Sequence, residues 1–197
     1  MIKQLITAAV VALGLAAPAS SATLTFDIDV AGSGVSVTET GSLCLTTCGV
    51  TADLASSFGS SFTLAEGETA TFDFASFTGL GTGLAGYDID ATLAFSSPTA
   101  AVSASGFGGT LTLGGSILAG ILLWDTAPQT VTLSDGTMFT VAFEGGFGIL
   151  LGDEATTTAS VTLDKIGEVG AVPLPASALL LIGGLGILGA TRRRKRA

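Results

Sequence analysis

The chain has 197 residues, a formal net charge of −9 and neither histidine nor asparagine. Without asparagine it offers no acceptor for N-glycosylation, and without histidine it lacks the commonest metal ligand and general base. A serine–histidine–aspartate triad is excluded for the same reason. Any chemistry would depend on carboxylates, hydroxyls, the one tyrosine and the two cysteines.

Residues 1–22 are typical of a secretory signal peptide. Lys3 supplies a positive charge, an apolar stretch follows from Leu5 to Ala17, and Ser20-Ser21-Ala22 is a small-x-small cleavage motif. The alternative is a buried N-terminal helix, but its dozen apolar residues would have no polar face. We therefore predict export, with cleavage after Ala22.

The body of the chain, residues 23–171, is strongly acidic. It holds all sixteen acidic residues and a single basic residue, Lys165, which gives a net charge of −15. Such a surface repels nucleic acid and anionic lipid and attracts cations. The body is nevertheless rich in Phe, Leu, Val and Ile, so its composition predicts a folded domain. We expect no nucleic-acid partner.

Two segments alternate apolar and polar residues with the period of a β-strand. TLTFDIDV (23–30) places Leu24, Phe26, Ile28 and Val30 on one face. YDIDATLAF (87–95) does the same from Tyr87 to Phe95, with the acidic residues outward. Both segments are predicted to be strands with one face in the core.

Several other segments add strands. Asp135-Gly136 predicts a type I′ hairpin over 131–143, Glu66-Gly67-Glu68 predicts another over 62–74, and 156–165 is predicted to be the last strand. The apolar run 117–124 is too short to cross a bilayer and predicts a strand buried on both faces, or one in the interior of a sheet. The glycine-rich stretches 76–86 and 103–115 predict loops and bulges. The predicted fold class is all-β, an antiparallel sandwich or jelly roll of about eight to ten strands.

Cys44 and Cys48 lie in GSLCLTTCGV. A close pair in an exported protein predicts a disulfide. In an extended strand the two residues would be ~13 Å apart, whereas a disulfide requires Cα atoms about 4.4–6.8 Å apart. Residues 45–47 must therefore turn back in a loop. A redox or metal pair is the alternative, but the three-residue spacing and missing histidine disfavour it.

Acidic pairs are the candidate ligands of a metal. Asp27 with Asp29, and Asp88 with Asp90, each present two carboxylates on one side of a predicted strand. If the strands were neighbours, these oxygens could converge on Ca²⁺. Glu66 with Glu68 and Asp153 with Glu154 are further candidates. The other interpretation is a solvated acidic face without a cofactor.

Two further functions of the body are compatible with its residues. A pair of carboxylates ~5–9 Å apart could serve a glycan hydrolase, although sixteen acidic residues make chance pairs common. Tyr87 and Trp124 could stack on sugar rings. Enzyme activity is not expected, because no nucleophile motif accompanies these residues.

The C-terminus, VPLPASALLLIGGLGILGATRRRKRA (172–197), combines two prolines, an apolar run and a basic end. Residues 176–190 would form a helix of ~22 Å, a short span for a bilayer core of ~30 Å. Within it, 177–190 is the predicted transmembrane helix and 191–197 its cytoplasmic end. The positive-inside rule orients the body outward. The residues that set this orientation are Arg192, Arg193, Arg194, Lys195 and Arg196.

This tail resembles the VPLPA class of PEP-CTERM sorting signals, which exosortases process in Gram-negative bacteria. The motif residues are Val172, Pro173, Leu174, Pro175 and Ala176. The resemblance covers only the tail. It implies an exosortase as processing partner, cleavage near the motif, and release or transfer of the body to the cell surface. A single-pass anchor that is never cut is the alternative.

These observations predict a surface-sorted structural or interaction protein. The resemblance implies a place in the exopolysaccharide or biofilm matrix, after a stage in which the helix anchors the chain in the inner membrane with the body in the periplasm. A Ca²⁺-assisted polysaccharide-binding module and a carboxylate-based glycan hydrolase are the alternatives.

Overall fold

The structure, a computed structural model, describes residues 22–167. The predicted signal peptide, apart from Ala22, and the predicted sorting tail lie outside the described residues. Within them the chain is all-β and every strand pairing is antiparallel, as predicted. The ten strands are β1 (Thr23–Ile28), β2 (Gly34–Leu54), β3 (Phe62–Ala65), β4 (Thr69–Ser97), β5 (Ala100–Leu113), β6 (Ser116–Trp124), β7 (Gln129–Thr132), β8 (Met138–Phe143), β9 (Phe147–Gly152) and β10 (Glu154–Lys165).

Strand β4 is 29 residues long and has different neighbours along its two halves. On one edge it pairs with β2, from Leu54 opposite Ala75 to Gly34 opposite Thr92. On the other edge β10 pairs with residues 69–78 of β4, and β5 pairs with residues 83–95. β4 therefore belongs to two groups of strands. The first group continues through β10, β8 and β7, and the second through β5, β6 and β9.

Residues 144–146 join β8 of the first group to β9 of the second. The Glu144 N–H donates to the carbonyl oxygen of Thr158 in β10 at 2.9 Å. Two residues later, the Gly146 carbonyl oxygen accepts a bond from the N–H of Leu122 in β6 at 2.8 Å. The chain thus crosses from the first group to the second. The two groups are therefore joined twice, through β4 and through residues 144–146.

Phenylalanine rings fill the core between the groups. Phe26 of β1 meets Phe95 of β4 and Phe139 of β8 edge to face, with ring centroids 5.6 and 5.2 Å apart. All three side chains are buried. Full burial of such a ring stabilises the fold by about 1.5–3 kcal/mol, and each edge-to-face pair adds about 0.5–1.5 kcal/mol.

The two alternating segments form strands as predicted. In β4 the inward residues from Tyr87 to Phe95 are buried, and Asp88 and Asp90 are exposed. In β1, Phe26 is fully buried. Val30 is the exception, because the strand ends at Ile28 and the side chain of Val30 lies exposed in the following turn.

One predicted hairpin is present with a different turn. β7 and β8 pair as expected, but the N–H of Leu133 donates to the Thr137 carbonyl oxygen and that of Gly136 to the Leu133 carbonyl oxygen. The loop therefore has three residues, and Gly136 takes the positive φ of 84° that such a loop needs. The predicted two-residue type I′ turn is wrong.

The second predicted hairpin, over 62–74, does not form. The turn is present, because the N–H of Glu68 donates to the Ala65 carbonyl oxygen. However, β3 pairs with β1, and Thr69 at the start of β4 pairs with Thr162 of β10. The turn itself is held by β10, since Gly67 and Glu68 both bond the backbone of Leu163. It is a corner between strands with different partners.

The glycine-rich stretches lie mostly in strands β4 and β5, so the prediction of loops is wrong for most of their length, although Gly81 and Gly83 within β4 have positive φ. A Cβ at Gly106 would lie 2.3 Å from the Leu123 carbonyl oxygen and 3.1 Å from the ring of Trp124. One at Gly108 would lie 3.0 Å from the Ile121 carbonyl oxygen and 3.2 Å from the ring of Tyr87. These glycines let the backbone of β6 and the two aromatic side chains approach β5 closely while the backbone stays paired.

Strand β6, the predicted buried run, is covered on one face only. Ile117 and Leu122 are buried, whereas Ile121 and Leu123 are exposed. The strand pairs with both β5 and β9, so the prediction of an interior strand is right and that of two covered faces is wrong.

Candidate functional site

The second group of strands exposes large apolar side chains on its outer side. We call this surface the outer face and define it by six residues that are between 38% and 78% exposed: Leu43, Leu84, Phe107, Leu111, Ile121 and Leu123. Leu84 lies opposite both Leu43 and Leu111, and Phe107 lies opposite Leu123. Because directly paired residues share a side of the sheet, the six form one continuous surface. A contiguous apolar surface of this kind usually marks a place of interaction.

A row of glycines crosses the outer face between these side chains. Gly86 lies opposite Gly41 on β2 and Gly109 on β5, and Gly109 lies opposite Ile121 on β6. The row forms the floor of a shallow groove of about 380 Å³, with Leu43 and Leu84 along one side. Asp88 and Phe107 are the next outward pair on the other side.

Packing does not require glycine in this row. A Cβ at Gly41 would meet nothing within 4 Å, one at Gly86 would lie 3.4 Å from Thr40 Oγ1, and one at Gly109 would lie 3.6 Å from the Ala85 carbonyl oxygen. These are ordinary contacts, in contrast to the crowding at Gly106 and Gly108. The groove therefore exists because the side chains are absent.

The outer face depends on an inverted strand. In β5, Leu111 and Leu113 are exposed, while Thr110 and Thr112 between and beside them are buried. Alternation in TLTL would normally place the leucines inside. The threonines are tolerated inside because Tyr87 donates to Thr110 Oγ1 and because Thr112 Oγ1 donates to the Leu80 carbonyl oxygen at 3.0 Å. The sequence interpretation missed this surface, and the alternation in 110–113 was the available signal.

The two cysteines form the predicted close pair at one end of the groove. Cys44 and Cys48 lie at disulfide distance, with Cα atoms 5.4 Å apart. The segment is a bulge within β2 and not a separate loop, since Cys44 pairs with Gly83 and Cys48 with Gly81. Its residue Leu45 is 84% exposed beside Leu43 of the outer face. The disulfide thus braces an apolar projection at the groove's edge.

Glycine is required opposite this bulge. A Cβ at Gly83 would lie 2.7 Å from Cys48 Sγ and 2.8 Å from the Cα of Cys44. Gly81 and Gly83 also have positive φ, at 54° and 153°. These two positions let β4 bend past the disulfide without losing its pairing with β2.

The two aspartate pairs do not converge. β1 meets β4 only at Asp27 opposite Ser97 and at Ile28 opposite Phe95. The nearest approach is at Asp29, whose N–H donates to the Ala94 carbonyl oxygen at 2.9 Å, and Asp90 lies four residues from Ala94, or ~13 Å along an extended strand. Asp29 instead accepts the N–H groups of Ala31 and Gly32, both at 3.1 Å, and so fixes the turn after β1.

Three of the four remaining acidic candidates also serve the backbone or a neighbouring hydroxyl, and the fourth, Glu154, is exposed. Glu68 accepts the Ala65 N–H at 2.7 Å, Glu66 accepts the Ile166 N–H at 3.2 Å, and Asp153 accepts the Ser116 hydroxyl at 2.6 Å. Among residues 22–167 no group of three or more acidic or cysteine side chains is placed to hold a metal ion.

Neither large aromatic candidate is a free platform. Tyr87 is buried, and this burial raises its pKa to about 12 although the bond to Thr110 acts in the opposite direction. Trp124 is partly buried, packs on Phe143 at 5.3 Å and donates its ring N–H to the Glu144 carbonyl oxygen at 3.1 Å. Phe107 is the exposed aromatic of the outer face.

No family model, curated protein or solved structure matches this chain. The predicted sorting motif, transmembrane helix and basic end lie outside the described residues. Within 22–167, no helix is long and apolar enough to cross a membrane.

Proposed function

We propose that the chain is a secreted structural or interaction protein without enzymatic activity, sorted to the cell surface through its tail and working in the exopolysaccharide matrix. An exosortase would cut near Val172–Ala176 after the apolar helix has held the chain in the membrane. The body would be a β-sandwich in which β4 contributes to both layers. The outer face would be its binding surface.

The sorting part of the proposal is supported by the order of signals along the chain. A signal-peptide pattern stands first, and a proline motif, an apolar run and five basic residues stand last. The paired cysteines fit an oxidising compartment, where disulfides persist.

The binding part is supported by the glycine row. From Gly41 to Ile121 the row spans three strand spacings, or ~14 Å, which accommodates a few linked sugar rings. Leucines on one side offer an apolar wall, and Phe107 offers a ring face on the other. Exposed Thr40 adds a hydroxyl at the rim, where a Cβ at Gly86 would lie 3.4 Å from its Oγ1. Apolar lining with a few polar groups suits a sugar, which has apolar ring faces and hydroxyl edges.

The negative charge of the body determines which class of polysaccharide the groove can bind. The described residues carry fifteen acidic side chains and one lysine, so an anionic chain would be repelled. We therefore assign a neutral polysaccharide to the groove.

The binding test fills the groove without disturbing the fold. In the mature protein, Gly109→Val places a β-branched side chain on the floor in ordinary contact distance, so the fold should be kept. Retention on an immobilised neutral polysaccharide should fall at least about tenfold, as expected when a well-placed contact is blocked. Gly34→Val is the matched control, because a Cβ at Gly34 meets nothing within 4 Å, as one at Gly109 meets only ordinary contacts, and the position is away from the groove. Equal retention of both variants would contradict the groove as the binding surface.

The sorting test is independent of the binding test. Intact-mass measurement of the mature protein from its native host should show removal of residues 1–22 and a cut near residues 172–176. Material that retains Met1, or that keeps residues 177–197 when it is found at the cell surface, would reject processing of this kind. Replacing Pro173 and Pro175 with alanine should leave the tail uncut.

A further inference from the structure

A cavity inside the body lies between the second group of strands and the start of β10. Its volume is about 190 Å³. Apolar side chains from several strands form most of its wall, including Phe77, Ile89, Ile117 and Leu122. Exposed Glu154 and Thr156 stand at its rim with Gly146, so the cavity opens where β10 begins.

Three hydroxyl groups line this otherwise apolar space. Thr110 and Tyr87 are bonded to each other, with the tyrosine as donor, so the Thr110 hydroxyl keeps its own proton to donate. Thr157 lies on β10 and is 5% exposed. Its Oγ1 is buried and has no hydrogen-bond partner among the described residues.

The unpartnered hydroxyl of Thr157 is the observation that points to a ligand. A buried hydroxyl without a partner is unfavourable, and valine would occupy the same volume on a strand without that penalty. Thr110 lies opposite Gly120 on β6, where the missing side chain keeps the space open. The cavity therefore combines open space, apolar walls and a hydroxyl group that has no hydrogen-bond partner.

Size and polarity define the class of ligand. An apolar cavity of about 150 Å³ holds one benzene molecule. The present cavity is somewhat larger and carries hydroxyls on two of its walls. A charged ligand would be desolvated in the interior, where no charged side chain lies, because Glu154 is exposed at the rim; this disfavours a charged ligand.

We propose that the cavity binds a small neutral molecule with an apolar body of about six to eight carbons and one hydroxyl or carbonyl group. The polar group pairs with Thr157 and the Thr110–Tyr87 pair, and the apolar body packs on Ile117 and Leu122. This binding goes beyond the proposed matrix function and does not depend on it.

The test compares two probes of similar shape on the mature protein. Phenol carries the polar group and toluene does not. Saturable binding of phenol, followed by amide shifts in NMR spectra, should be about fivefold to tenfold tighter than that of toluene. Thr157→Val should weaken phenol binding and so reduce this preference, with Thr110 as the remaining hydroxyl partner, and should leave toluene binding unchanged. Thr132→Val on the exposed strand β7 is the matched control and should keep the preference.

A second variant keeps the proposal falsifiable should Thr157→Val misfold. Ala155→Leu adds apolar volume at the cavity wall and should abolish binding of both probes while the β-sheet circular dichroism stays unchanged. Failure of both probes to bind the unmodified protein would overturn the proposal. The proposal would also be overturned if water alone fills the cavity. In that case Thr157→Val would lower the stability of the protein and neither probe would bind. Equal phenol affinity in the unmodified protein and Thr157→Val would also overturn it.

Discussion

The hydroxyl of Thr112 donates a hydrogen bond to the carbonyl oxygen of Leu80 across the bend of β4, at 3.0 Å. Thr112 is 1% exposed, whereas its neighbours Leu111 and Leu113 are 43% and 56% exposed. This single bond helps to place a polar side chain inside and two leucines outside. The outer face therefore depends on hydrogen-bond acceptors of β4, which hold the threonines of β5 inside and so leave its leucines outside.

Replacing Thr112 with valine tests this dependence. Valine keeps the shape but leaves the Leu80 carbonyl oxygen without its side-chain donor, so the free energy of unfolding should fall by about 1–2 kcal/mol. Urea denaturation measures the change. Thr132→Val, at an exposed position, should change it by no more than about 0.5 kcal/mol. An unchanged midpoint for Thr112→Val would show that the bond does not hold the strand in its inverted orientation.

The stability of the protein should decrease in alkaline solution because of Tyr87. Burial raises the folded pKa to about 12, above the ordinary value of 10.0. The group therefore stabilises the folded state fully below pH 10, and this contribution is lost as the pH rises through the folded pKa. Tyr87 is the one tyrosine of the chain, so tyrosinate absorbance reports its titration alone. An absorbance midpoint at the ordinary value would contradict burial of the phenol.

Tyr87→Phe provides the control for that experiment. It removes the titrating group and should flatten the dependence of the unfolding free energy on pH between pH 10 and 12. The variant also leaves Thr110 without its donor, so a constant loss of about 1 kcal/mol is expected at neutral pH.

The hairpin between β7 and β8 should weaken in acid through Asp135. Hydrogen bonds from the N–H and the hydroxyl of Thr137 lower the pKa of this carboxyl below its ordinary value of 3.8. A carboxyl whose pKa is lowered by folding stabilises the folded state at pH values above its pKa in the unfolded chain. This contribution disappears as the pH falls through the pKa in the folded state. Asp135→Asn should therefore be less stable than the unmodified protein at neutral pH, and the gap should narrow below pH 3.8. Asp53→Asn, also exposed, controls for the loss of one charge. A difference in stability between Asp135→Asn and the unmodified protein that does not change with pH would argue against a stabilising role of the Asp135 carboxylate.

The disulfide and the glycine opposite it should act as one unit. Replacing both Cys44 and Cys48 with alanine should cost about 2 kcal/mol, the value for a very short loop. Gly83→Ala should cost about 2 kcal/mol or more, because its Cβ would meet Cys48 Sγ and the Cα of Cys44. Combining the changes should cost less than their sum, since part of the collision is removed. Strict additivity in a thermodynamic cycle would reject this coupling.

Calcium should not stabilise the body. Asp27 and Asp29 lie beside residues 94–97 of β4, ~13 Å or more along the strand from Asp90, so neither pair completes the oxygen shell that Ca²⁺ takes. The melting temperature should be the same in millimolar CaCl₂ and in chelator. A rise of several degrees with calcium would revive the Ca²⁺-assisted alternative, because a ligand that binds only the folded state raises the melting temperature.

The features that follow from local pattern could be predicted from the sequence. Alternation over 87–95 gave β4 its buried face, and the short spacing of Cys44 and Cys48 required a turn. Both depend on residues a few positions apart. Strand pairing is different, because nothing in 62–74 shows that β1 and β10 compete successfully for β3 and β4.

The candidate site could not be predicted because its determinants are non-local. Thr110 and Thr112 are inside because their partners, Tyr87 and Leu80, come from another strand. The glycine row consists of Gly41, Gly86 and Gly109, which are scattered in the sequence and meet only through register. Composition suggested loops for the segments of Gly86 and Gly109, which instead pair as strands with residues distant in the sequence.

The continuity of β4 has a mechanical consequence. Because one unbroken backbone runs through both groups of strands, and β2 pairs along it from Ala75 to Thr92, a single ladder ties the two groups together. Thermal unfolding of the body should accordingly be a single cooperative transition. A load applied across the protein would be carried as tension along a covalent chain and shared by the ladders on either side, which suits a component of a cohesive, stretched material.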